Sequence, residues 1–283
     1  MPEPLRPLSF GQLVDGAARL TWEYPVALVG LALLPSLVVI PLLPFMPDLG
    51  SLTGPNGGMP DLEALAPMLP RLVVGALLMA LLASILWPVG IAGLTFAAAL
   101  ARIGQAPSFG AAWRIGWKRL WPIGWALTLI ALVLVGVMLL VGGGTWAIGG
   151  GAVGALLLFA GSVLSAFFMM RMAMILPVVV LEQRFGTAAL QRSGALMRGH
   201  ELRALGLFLV YVAIYLGGVL LSSGFESVPL VGGIAGTLIQ LLVQGISGAV
   251  TGVVTLLLYL DIRCRTEGFD LERLAQLVAE AGD

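Results

Sequence analysis

The chain has 283 residues and no formal net charge; 59% of it is hydrophobic and 11% charged, and its mean hydropathy is +1.02. Soluble domains carry about a quarter charged residues, so this apolar excess has to face lipid or pack inside a helical bundle. One cysteine, Cys264, excludes an internal disulfide and a thiolate metal cluster, and one histidine, His200, excludes a multi-histidine site, so neither metal nor cofactor is expected.

The chain opens on a polar segment. Ser9 is placed to cap a helix, Gln12 to reach back to the cap, and Leu13, Val14 and Ala17 to face inward. The first apolar run begins near Val26. No short basic region precedes it and no small-residue cleavage site follows, so it is expected to stay in the membrane rather than be removed as a signal peptide. Spans are predicted near 26–43, 71–101, 123–141, 149–176, 203–221 and 233–260, each close to or above the roughly 20 apolar residues that cross a bilayer. The second, fourth and sixth exceed a bilayer when continued to the next charged turn. Pro88 and Pro177 are the expected kink points. Gly150 and Gly154, with Ser162 and Ala166, are expected to pack the fourth span against a neighbour.

The basic residues are one-sided. Asp48, Asp61 and Glu63 follow the first span with only Arg71 beyond them, 142–145 is uncharged, and the fifth-to-sixth connection offers Glu226. Fourteen of the 15 basic residues lie on the other side, which predicts a multi-pass membrane protein with both termini cytoplasmic.

Three segments begin alike, at Ser9-Phe10-Gly11, Ser108-Phe109-Gly110 and Arg184-Phe185-Gly186, and a fourth start, Gly268-Phe269-Asp270, opens the tail. Each of the three precedes a span, an outer loop and a longer span. The chain therefore reads as three units, near 9–101, 108–182 and 185–265, with an amphipathic cytoplasmic tail over 266–283. The tail carries Leu271, Leu274, Ala275 and Val278 on one stripe. The expected fold is all-α: a six-helix membrane bundle of three hairpins, each introduced by a cytoplasmic interfacial helix.

In the second of these segments Phe109, Ala112, Trp113, Gly116 and Trp117 follow helical spacing, with Arg114 and Lys118 a turn apart on another face. Such a helix either anchors its hairpin at the headgroup level or recognises anionic headgroups, with Trp113, Trp117, Arg114, Lys118 and Arg119 as the contacts. Membrane lipids are thus expected partners, a second copy or another protein is open, and no nucleic acid is expected.

Nucleotide-binding, zinc-protease and serine-hydrolase motifs are absent, and no nucleophile is paired with a base, so no enzyme is expected. The spans carry no central charge; Arg171, toward the end of the fourth, is placed to snorkel or to pair with Glu182 or Asp261. The sixth span is the polar one. Thr237, Gln240, Gln244, Ser247, Thr251 and Thr255 share one helical face, with Gly248 and Gly252 beside it. That face either lines a path for a lipid or small solute or joins helices through close approach and side-chain hydrogen bonds.

The run Leu258-Tyr259-Leu260-Asp261-Ile262-Arg263-Cys264-Arg265-Thr266-Glu267-Gly268-Phe269-Asp270-Leu271 resembles the closing motif of a bacterial multi-pass family. That family is related to the membrane domain attached to some glycerophosphoryl diester phosphodiesterases. Phe185-Gly186, Ala189-Leu190, Arg192-Ser193 and Gly199 resemble its central motif. The resemblance implies a six-helix bundle in the inner membrane and no catalytic residues. The phosphodiesterase chemistry of the fused proteins belongs to a separate soluble barrel with paired histidines and carboxylates. Two functions follow as expectations: a non-enzymatic scaffold or accessory subunit for an envelope or lipid process, or a carrier or channel using the sixth span's polar face.

Overall fold

The computed structural model of the protein describes residues 6–36, 68–147, 151–226 and 232–282. Every regular element among them is helical: α1 (Phe10–Glu23), α2 (Pro25–Leu33), α3 (Leu69–Arg102), α4 (Phe109–Lys118), α5 (Leu120–Ala147), α6 (Gly151–Arg171), α7 (Ile175–Leu181), α8 (Gly186–Met197), α9 (Glu201–Glu226), α10 (Gly232–Glu267) and α11 (Leu271–Gly282). Among the described residues, five helical stretches are long and apolar enough to cross a membrane: α3, α5, α6 continued through α7, and most of α9 and of α10. The chain is a multi-pass membrane protein. The first predicted span, 26–43, starts as α2, and its continuation beyond residue 36 lies outside the described residues.

Local chemistry accounts for the short helices. Ser9 Oγ accepts from the Gln12 N–H while Gln12 Oε1 accepts from the Ser9 N–H, the reciprocal cap that the sequence predicts. Leu13, Ala17 and Leu20 of α1 are buried and Val14 is half-buried against them. Ser108 Oγ caps α4 through the Ala111 N–H. The predicted break at Pro177 falls earlier: α6 ends at Arg171, Met172 to Met174 turn, and Met174 caps α7. Pro177 then sits in the first turn of α7, where its missing N–H removes no helical bond. Pro88, by contrast, lies inside the continuous α3.

The spans are unequal in burial. Outward halves of α5, α6 and α9 expose Leu132, Met138, Leu139, Leu156, Phe159 and Leu220, the surface a lipid-facing helix presents. Trp121 and Trp146, at the two ends of α5, are both exposed, as expected where amphipathic rings meet headgroups. The core sits at the other, charged end, in Val89 to Ala101 of α3, α7, and Val253 to Ile262 of α10. The α10 helix touches α1, α2, α3 and α9, and is the most buried of the five spans.

Close helix approach depends on missing side chains. In α6, Gly154 and Gly161 meet Thr145 and Val141 of α5, whereas Ser162 and Ala166, expected beside Gly154, are exposed, and Gly150 lies outside the described residues. The α4 helix lies on α3 so closely that a Cβ on Gly116 would strike the Val89 carbonyl. Because the obstacle is backbone, Gly116→Ala should lower stability by about 1–3 kcal/mol. Gly110→Ala, on the same helix with nothing within 4 Å, should leave the unfolding midpoint in detergent unchanged.

Candidate functional site

The polar face of α10 is largely turned upon the protein itself. Thr255 Oγ1 donates to the Thr251 carbonyl at 2.8 Å and Thr251 Oγ1 to the Ser247 carbonyl at 2.7 Å, both one turn back on the same helix. Ser247 is 2% exposed and donates to the Gln244 carbonyl. Gln244 Oε1 accepts from Ser36 Oγ at 2.9 Å, tying α10 to the end of α2. Gln240 is half-buried and also has a partner, while the Thr237 side chain lies outside the described residues. Beside this face Gly245 approaches Leu33, Gly248 approaches Ala32 and Gly252 approaches Leu94. Thr251 and Thr255 do border a cavity of about 160 Å³, but with their hydroxyls bonded backwards its lining is apolar: Val14, Leu207, Phe208 and Val254.

On α4 the sequence-predicted aromatic face divides. Ala112, Ile115 and Gly116 are buried, Trp113 is half-buried, and Trp117 is exposed together with Arg114 and Lys118. The rings of Phe109, Trp113 and Trp117 form a ladder, with centroids 6.3 and 5.7 Å apart in turn. Arg119 stands 6.0 Å over the Phe185 ring. Its Nε is buried without a hydrogen-bond partner, and burial lowers its pKa from the usual guanidinium range.

The charged end contains two ionic networks. In the first, the Asp261 carboxylate is fully buried and takes Arg203 Nη1, the Arg265 Nε at 3.1 Å and the Leu8 N–H at 2.6 Å. The Leu8 carbonyl in turn accepts from Arg203 and Arg265, each at 3.0 Å. One carboxylate and the backbone N–H and C=O of one residue therefore join the N-terminal segment, the start of α9 and the end of α10.

In the second, Glu182 takes Arg192 Nε at 2.9 Å, Arg192 Nη2 at 3.1 Å and the Tyr259 hydroxyl at 2.9 Å, with Arg184 and Arg263 at 3.4 and 3.6 Å. Arg192 and Arg263 both reach Glu267, at 2.6 and 2.7 Å. The Arg263 guanidinium also lies 3.9 Å from the Phe269 ring centroid. Burial pulls the Arg192 pKa down, but its bonds to Glu182 and Glu267 outweigh this and hold it above the usual value. Gln183, the one described non-glycine residue at positive φ, turns the chain after Glu182, and its amide holds the Glu280 carbonyl of α11 at 2.9 Å. In α11, Leu274, Val278 and Ala281 are buried against the bundle, while Ala275 of the predicted stripe is exposed.

Arg171 joins neither predicted partner. It pairs with Glu201 at 3.5 Å, and its carbonyl, at the end of α6, accepts from Ser193 Oγ at 2.8 Å. Gly199, at φ +83°, makes the left-handed turn into α9 and donates its N–H to Glu201. The adjacent His200 Nδ1 is buried without a partner. Sequence reasoning gave Leu8 and Tyr259 no role and named Glu182 only as a partner for Arg171. The available signal was the scarcity of carboxylates at arginine-rich span ends. Among the described residues, no group of three or more His, Cys, Asp or Glu side chains is placed to hold a metal.

Comparison with protein-family models, curated proteins and solved structures finds no match for this chain.

Breaking a buried ion pair from one side typically costs about 3–5 kcal/mol. Glu182→Gln should therefore lower the unfolding midpoint strongly and expose α11 to limited proteolysis. Glu272→Gln, at an exposed position on α11, should change neither.

Proposed function

We propose that the protein is a non-enzymatic scaffold or accessory subunit of a bacterial inner membrane, serving an envelope or lipid-related process. The observation that carries this reading is the inward use of polar groups. The hydroxyls of Ser247, Thr251 and Thr255 bond the backbone of α10, Gln244 bonds Ser36, and the carboxylates of Asp261 and Glu182 are occupied by arginines, the Leu8 N–H and the Tyr259 hydroxyl. Such an arrangement stabilises a fixed body and leaves, among the described residues, no row of open donors and acceptors across the membrane for a passing solute. The glycines of α10 support the same reading, since they bring helices together where a pathway would need space.

On this proposal the chain forms three hairpins over 9–101, 108–182 and 185–265, with both termini in the cytoplasm. The exposed ladder of α4, with Arg114 and Lys118, meets lipid headgroups. The likeness of the 258–271 run to the phosphodiesterase-linked membrane family enters here in the same sense. Its Tyr259, Asp261, Arg263 and Glu267 are the residues that meet Arg192, Arg203 and Glu182.

Two measurements test the proposal. In proteoliposomes the purified protein should move no lipid or small solute faster than empty vesicles, and should be retained with a stoichiometric protein partner after gentle extraction. Transport lost in the Gln240→Leu/Gln244→Leu double variant, with stability kept, would overturn it in favour of a carrier. The connection expected at 142–145 is helical, since α5 runs on to Ala147; reporter fusions after Asp283 and after Ala147 should therefore report cytoplasmic and external locations in turn, and the reverse pattern would refute the orientation.

A further inference from the structure

Another polar feature lies at the charged end, bordering the Asp261 network at Leu8 and sharing no residue with the Glu182 network or α4. A cavity of about 570 Å³ opens between α1 and the end of α3. Three guanidinium groups, Arg6, Arg19 and Arg102, share its lining with two carboxylates, Asp15 and Glu23, and with apolar residues that include Leu20 and Leu257. We propose that this cavity binds a zwitterionic phosphate ester. The class is a phosphodiester bearing a primary ammonium arm, as in an ethanolamine phospholipid headgroup or its water-soluble deacylated form.

The size lies within the roughly 300–1,000 Å³ of small-molecule sites. The charge pattern selects the ligand. Guanidinium groups hold phosphate oxygens in bidentate fashion, and each has five donors, so a residue already engaged within the protein still has donors to offer. A lining of arginines alone would suit any anion and would follow from charge asymmetry across the membrane. Here Asp15 and Glu23 stand in the same cavity, so a bare dianion meets repulsion that a zwitterion turns into a second attraction. The frame is fixed in advance. Leu8, another lining residue, is clamped through both its N–H and its carbonyl, and the reciprocal Ser9–Gln12 cap starts α1 immediately after it. The level is that of a headgroup: Trp22 is 71% exposed and Val26 81% exposed, on either side of Glu23 and Tyr24 where α1 passes into α2.

The test uses the full-length protein in maltoside detergent, which carries no phosphate. It is titrated calorimetrically with glycerophosphoethanolamine and with glycerol 3-phosphate, and the same preparation is examined by native mass spectrometry for retained ethanolamine phospholipid. The expected result is one saturable site that prefers glycerophosphoethanolamine, or one retained ethanolamine lipid that blocks that titration. The first outcome identifies a soluble ligand and the second a lipid. In either case Arg19→Gln with Arg102→Gln should weaken occupancy at least about tenfold. Because that pair of changes can disturb packing, Asp15→Asn with Glu23→Gln supplies an independent reading at two exposed positions. It should reverse the preference toward glycerol 3-phosphate by about tenfold, a gain that misfolding does not produce. Absence of both binding and retained lipid, preference of the unaltered protein for glycerol 3-phosphate, or binding indifferent to both pairs of substitutions would overturn the proposal.

Discussion

A carboxylate without solvent cannot stand alone, and Asp261 has none. Its ionised form requires donors from every side. They come from Arg203, 58 positions earlier, from Arg265 one turn later, and from the peptide of Leu8, 253 positions earlier. The same guanidinium groups close on the Leu8 carbonyl, so a backbone unit is held at both its polar atoms. This constraint places α1 across the end of the bundle and fixes α9 relative to α10. Through α1 it also shapes the cavity that contains Arg19 and Arg102. Glu182 repeats the principle next door, joining α7, α8 and the end of α10 through Arg192 and Tyr259.

The two ends of the molecule obey different physics. At the charged end, water is available to drive apolar burial, and the core gathers there with its ionic fastenings. Farther out the solvent is lipid, which is as apolar as leucine, so burial gives no comparable driving force and association depends on close contact. The glycines at 154 and 161 of α6 and at 245 of α10 supply that contact. The remaining surface of α5, α6 and α9 stays apolar and open. With 34 residues, α3 is about 50 Å long against a hydrocarbon core of about 30 Å, so its charged end continues into the interfacial layer where α4 packs on it.

The spans were legible because apolarity is local: a run such as Leu72 to Leu82 needs no partner to declare itself. The Ser9 cap was legible for the same reason. Pairing was not. Arg171 has carboxylates within reach on several elements, and only the turn at Gly199 decides that Glu201 is the one it meets. Periodicity placed Ser247, Thr251 and Thr255 on one face, but it carries no information on whether a hydroxyl points outward or back to its own helix. The α4 face divided because a glycine or alanine at 112 and 116 packs where a tryptophan does not fit. Even the 258–271 run, distinctive as a pattern, disclosed its chemistry only when Glu182 and Leu8 came to it from distant sequence.

The most direct test of this account is a double-mutant cycle on Asp261→Asn and Arg203→Gln, read by equilibrium unfolding in detergent. If the buried carboxylate organises the charged end, the two changes couple by about 1–3 kcal/mol, the second costing much less once the first is made. Losses that add to within about 0.5 kcal/mol would show two independent residues and contradict the account.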